Sequence, residues 1–248
     1  MHRLQWWFLF TLVTGCAAVV HVTLDREYGP PDPARYDHKA DTAAARQAWQ
    51  RVQPVFEHRC AVCHGCYDAP CQLKFTAYDG VTRGGSKEQV YASRLLAAAP
   101  TRLHIDAQTD VGWRKKGFHP VLNERRQTPE ADREGSVLYR MLALKKKQGP
   151  QPAVLSSDVY DFSLDRKQVC ATIEEMGEFE RSRPDWGMPY GMPQLSDAEY
   201  RTLTAWIEDG APYAPPPDLA PAYTARIKTW ETFLNGDSLK SQLVSRYV

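Results

Sequence analysis

Cys60-Ala61-Val62-Cys63-His64 is the stretch of this 248-residue chain with the clearest chemical meaning. Two thiols at that spacing can add across the two vinyl groups of one haem, and the adjoining imidazole is then placed to ligate the iron from the proximal side. Residue frequencies alone would produce such a pentad far less than once in a chain of this composition. Cys66 and Cys71 follow closely, so the four sulfurs also fit an iron–sulfur run or a zinc site. Downstream, Met188-Pro189 and Met192-Pro193 offer thioethers, soft neutral donors that raise an iron's potential relative to a second imidazole. Met188 is the expected distal ligand and Met192 the alternative, with His119, His104 or an open position behind them. A single Met reads by default as core filler, and His58, His104 and His119 as solvated or satisfied core side chains.

These groups need elements to hold them. From Asp41 the composition becomes helical, and Trp49, Val52, Val55 and Phe56 share one face of a helix that ends at Cys60. Near the other end, Ser196 with Glu199 three residues on forms a capping box for a helix whose buried face is Tyr200, Leu203, Trp206 and Ile207; Gly210 and Pro212 end it. Ser86 with Gln89 suggests a further capped helix to about Ala98. The apolar set Val137, Leu138, Met141 and Leu142 marks another between Arg133 and Lys147, with Lys145-Lys146-Lys147 read as solvated complements to its dipole. Strand signals are sparse, and no internal repeat is visible. The expected fold class is mainly α: a cytochrome c-like haem core over 41–211, built on the first and last of these helices, with residues 66–183 as a long helical and loop-rich insertion.

Balanced charge, 31 Lys+Arg against 30 Asp+Glu, argues against a nucleic-acid partner. Residues 1–24 begin with Arg3 and run through an apolar block from Leu4 to Val20, which reads as a signal peptide or membrane anchor; Val13-Thr14-Gly15-Cys16 also looks like a lipobox. Residues 25–40, with Gly29-Pro30-Pro31-Asp32-Pro33, look like a linker, and the expected location is the periplasm, with membrane association through the leader. Export favours haem over a cluster or zinc, because covalent haem attachment is a chemistry of exported proteins. Five prolines between Pro212 and Pro221 mark a second linker, after which 222–248 begins a further helical region.

Three segments carry a more specific signal. Cys63-His64-Gly65-Cys66-Tyr67-Asp68-Ala69-Pro70-Cys71-Gln72-Leu73-Lys74, Trp113-Arg114-Lys115-Lys116-Gly117-Phe118-His119-Pro120-Val121-Leu122-Asn123-Glu124 and Asp185-Trp186-Gly187-Met188-Pro189-Tyr190 resemble the bacterial fatty acid cis/trans isomerase family, periplasmic haem c proteins, over about Val52 to the end. The resemblance implies isomerisation of cis double bonds in the unsaturated acyl chains of membrane phospholipids and fatty acids to trans, without a nicotinamide or nucleotide cofactor. It implies one covalent haem c on Cys60, Cys63, His64 and Met188, and a response to solvent or heat stress. Family members are several times longer, so the resemblance also makes this chain an amino-terminal portion completed by further sequence.

Weaker candidates remain. Trp113-Arg114-Lys115-Lys116 reads as a solvated basic turn before it reads as a headgroup site. His119 and Glu124 could move a proton, although reversible electron withdrawal needs none. Cys66 and Cys71 could pair as a small disulfide, leaving Cys170 over, but the sequence leaves the pairing of these three open. Two rival functions use the same haem: a plain electron-transfer cytochrome, which does not need so long an insertion, and a redox-sensing or structural module of a larger exported assembly.

Overall fold

The computed structural model describes residues 23–245 apart from 67, 93–94, 100, 151–154, 158, 164–167 and 216–220. The leader and the lipobox at Cys16 lie outside the described residues. The chain divides into two compact units, residues 1–214 and 215–248. The second unit contains two helices, Pro221–Leu234 and Leu239–Ser245.

The first unit is mainly α, as the periodicity predicts. A short helix α1 at 23–28 precedes α2 (Ala43–Arg59), which Thr42 caps by accepting the Ala45 N–H at 3.1 Å. Then come α3 (Ala61–His64), α4 (Tyr78–Arg83), α5 (Asp110–Lys115), α6 (Pro129–Glu134), α7 (Val137–Lys147), α8 (Met176–Ser182) and α9 (Asp197–Glu208). The capping box at α9 forms as its sequence dictates: Ser196 Oγ accepts from Glu199 N–H at 3.2 Å, and Glu199 Oε2 accepts from Ser196 N–H at 2.7 Å.

The two helices expected to hold the site pack on each other through aromatic rings. Phe56 of α2 is fully buried, meets Trp206 of α9 edge-on at 5.6 Å and stacks on Phe75 at 5.1 Å. Trp49 lies about two turns back along α2 and extends the cluster to Tyr78 and Tyr213. Such pairs add about 0.5–1.5 kcal/mol each beyond the area they bury, so this cluster fixes where α2 ends, and with it Cys60.

Four local expectations are corrected. Among the described residues of 86–98 there is no helix. Ser86 belongs to β1 (Gly85–Ser86), which pairs antiparallel with β4 (Phe118–His119), and its hydroxyl accepts from Glu88 N–H in a tight turn, so it caps nothing. Beyond it, β2 (Tyr91–Ala92) and β3 (Leu95–Leu96) make a small hairpin. Lys145 is not a solvated dipole complement, because it is 3% exposed at the end of α7 under the loop that carries Gly187. The supposed linker at 25–40 is docked on the unit: Asp32 N–H donates to Glu124 O, Arg126 N–H donates to Tyr28 O, and buried Tyr36 donates its hydroxyl to Asn123 O at 2.8 Å. The basic turn is buried at its first residue and solvated at its last two. Trp113 packs on Phe118 and Arg83, and Arg114 is paired with Glu124 at 2.6 Å; only Lys115 and Lys116 face solvent.

Candidate functional site

The helix break at Cys60 is the first step in building the site. Cys60 N–H still bonds to Phe56 O as the last turn of α2, but the chain then turns into α3, where His64 N–H donates to Cys60 O at 3.0 Å. This brings His64 inward, 8% exposed, while Cys63 stays at the surface. Phe75 N–H bonds back to His64 O, and the Phe75 ring stands edge-on to the imidazole at 5.4 Å.

The imidazole is held in one tautomer. Its Nδ1 lies 3.2 Å from Leu73 O, a carbonyl that can only accept, so Nδ1 carries the proton and Nε2 keeps its lone pair. Burial pushes the ring's pKa down to about 4, which leaves it neutral at physiological pH. A neutral imidazole with one nitrogen anchored on a backbone carbonyl is the form that ligates a metal. Burial also pushes the Cys60 thiol up to about 12, with Arg59 opposing.

Beside this wall lies a cavity of about 390 Å³. Cys60, Cys63 and His64 line it, and so do Met188, Met192 and His119. Apart from His104, the sequence-predicted ligand candidates therefore meet in one place, although His64 and Met188 are far apart in the chain. Met188 is brought in by its own backbone, which donates to Met141 O of α7 at 3.0 Å. That approach depends on Gly187: a Cβ there would stand 2.2 Å from Lys145 N and 2.5 Å from Lys145 Cα. The remaining wall is largely apolar, with Val121, Leu138, Leu142, Met176 and Phe179 among its residues.

Other candidates fall outside. His104 is exposed and lies 3.7 Å from Asp79, and His58 is exposed on α2; neither lines the cavity. Glu124 is buried in its bidentate pairing with Arg114, whose Nη1 and Nη2 also bond to Arg83 O and Thr82 O; it too is away from the cavity. His119 does line the cavity, and burial pushes its pKa down to about 4, reinforced by Lys87 and Arg114.

The cysteines do not pair between sequence neighbours. Cys71 is bonded to Cys170, not to Cys66, and closes a loop with a sequence separation of 99. Cys71 has φ 58°, a left-handed turn that points its side chain toward the 168–171 segment. With Cys71 committed, the four-sulfur cluster loses a member, and among the described residues no group of three or more His, Cys, Asp or Glu side chains could hold a metal ion. The donor set instead fits one haem: two free thiols, a neutral anchored imidazole and a thioether on one apolar cavity.

Three features of the wall were missed from sequence. Arg59 lines it beside Cys60, the Cys71–Cys170 bridge forms part of it, and Tyr160, Phe162, Trp186 and Tyr190 gather at its side with ring centroids 5.3–6.4 Å apart. Only Arg59 had a signal, its position next to the motif.

No curated protein and no solved structure matches the chain. The model of the family described as "Fatty acid cis/trans isomerase (CTI)" matches residues 98–248, more than half of the chain; it takes in Met188 and Cys170 and starts after the 60–74 segment. The chain belongs to the fatty acid cis/trans isomerase family, a family of isomerases.

Proposed function

We propose that this chain holds one haem c, bound through Cys60 and Cys63 with His64 and Met188 as iron ligands, and that the centre serves the cis-to-trans isomerisation of unsaturated acyl chains of membrane lipids in the periplasm. The observation that carries the reading is the convergence of those four side chains on one largely apolar cavity in a member of this isomerase family. When bound, the haem would supply an electron-poor iron able to draw density reversibly from a carbon–carbon double bond, so that rotation becomes easy with no net redox change.

The chain's own residues do the rest. The Cys60 and Cys63 thiols fasten the group permanently, which suits an exported enzyme. Leu73 O orients the His64 ring through Nδ1 and leaves Nε2 for iron. The Met188 thioether adds no charge and so keeps ferric iron electron-poor. Val121, Leu138, Leu142 and Phe179 offer a hydrocarbon surface that an acyl chain can share and water cannot. Straighter trans chains pack more tightly, which gives the cell a means of ordering a bilayer loosened by solvent or heat.

Expression in a bacterium lacking the protein, followed by a membrane-fluidising solvent and analysis of extracted lipids, tests the reading. The native full-length protein should raise the trans/cis ratio and its C63A variant should not. No rise with the native protein refutes the isomerase assignment; an equal rise with C63A refutes the role of the thioether-linked haem.

A further inference from the structure

Arg59 is the last residue of α2 and the only lysine or arginine in the cavity wall among the described residues. Its Nη2 donates to two consecutive carbonyls, Pro193 O and Gln194 O, both at 2.8 Å. Its Nε lies 3.8 Å from Oε1 of Glu199, the residue that completes the capping box of α9. One side chain thus joins the residue before Cys60 to the two residues after Met192.

The loop from Met188 to Gln194 is otherwise tied to a different element. Met188 N–H bonds to Met141 O, and the Gln194 side-chain amide donates to Lys145 O at 3.2 Å and to Gly149 O, so both ends of the loop follow α7. Among the described residues, the hydrogen bonds between α2 and this loop are those of Arg59. A guanidinium suits such a tie because its planar fork is preorganised, it stays charged, and its bonds to carbonyls are charge-assisted.

We propose that Arg59 is a positioning residue for the sulfur ligand: it sets the separation between the wall carrying Cys60, Cys63 and His64 and the loop carrying Met188 and Met192. The inference rests on the haem reading above. Without the clamp the loop loses its direct hydrogen bonds to α2 and keeps those to α7, and the fraction of molecules with the thioether at the iron falls.

The test uses the haem-loaded chain as native protein, R59Q and R59K. The readouts are the long-wavelength sulfur-to-ferric-iron charge-transfer absorption and the affinity for added imidazole, which competes with the thioether. R59Q should lose the absorption band and bind imidazole roughly tenfold more tightly or better, as expected when a competing internal ligand is largely released. R59K, with a cation but no fork, should lie between. A residue that merely stabilises the fold would lower the melting temperature and leave both readouts unchanged. Folded R59Q with the native band and native imidazole affinity overturns the proposal, and where R59Q fails to accumulate, R59K indistinguishable from native does the same. A native sample that contains haem but shows no sulfur band overturns the proposal and the Met188 ligation while the covalent haem on Cys60 and Cys63 stands; a native sample without covalent haem overturns the haem reading itself.

Discussion

Replacing Gly187 by alanine tests how the methionine side of the cavity is built. The added Cβ would lie 2.2 Å from Lys145 N, 2.5 Å from Lys145 Cα and 2.8 Å from Leu144 C. All three are main-chain positions in the last turns of α7, where no side chain can swing away. The 186–189 loop must therefore lift by an ångström or more, and the Met188 N–H to Met141 O bond of 3.0 Å is the first to break. Overpacking of this kind costs about 1–3 kcal/mol, and an unmade backbone bond adds about 0.5–1.5 kcal/mol. G187A should be about 2–4 kcal/mol less stable in urea unfolding, and its haem-loaded form should lose most of the sulfur-to-iron band. G117A is the control, because a Cβ there meets nothing within 4 Å and only the φ of +84° opposes it; its cost should be about 1–2 kcal/mol with the band intact. A G187A protein within ~0.5 kcal/mol of native, with an unchanged spectrum, would refute the claim that close approach to α7 positions Met188.

Two further outcomes follow from the same structure. The Cys71–Cys170 bridge closes a loop with a separation of 99, so C170S should lower stability by about 2–5 kcal/mol in denaturant titrations, while C66S should have almost no effect; the reverse order would point to a Cys66–Cys71 pairing instead. Asp110 is pushed up to about 6 by burial, against the opposing effects of Arg114 and the Thr82 hydroxyl. A raised carboxyl pKa means the folded chain takes up its proton first, so stability rises as pH falls from about 6 to about 4 and the cost of the buried carboxylate is fully present above that range. Native protein should thus gain up to roughly 3 kcal/mol relative to D110N across this window, and parallel pH–stability curves for the two would disprove it.

Helix positions were legible in the sequence where one local signal agreed with one buried face. Ser196 with Glu199 and the apolar stripe ending at Phe56 each specify their element without help from the rest of the chain. Ser86 shows the limit. Its capping pattern is a local option, and pairing with Phe118, more than thirty residues away, removed it. Cys71 is a similar case: proximity in sequence offered Cys66, but a left-handed turn and the packed 168–171 segment decided otherwise. Lys145 was misread because burial by a loop from elsewhere in the chain leaves no mark on the neighbouring residues, and Trp113 because it packs on Arg83 and Phe118 of other elements.

The site itself divides along the same line. Cys60, Cys63 and His64 stood out as candidates because the haem attachment they suggest would use closely spaced residues, so spacing alone carries the signal. Met188 could be proposed from its dipeptide context, but its approach to the cavity depends on Gly187 lying against α7 and on the tie from Arg59, neither of which is a periodic or local pattern. A motif fixes only one side of a cofactor, and the other side is a problem of packing. For this chain that packing reduces to two contacts, a glycine with no room for a methyl group and an arginine shared between two carbonyls. Loss of the sulfur ligand from either substitution, with the thioether links intact, is the result that would separate the covalent half of the site from the half built by folding.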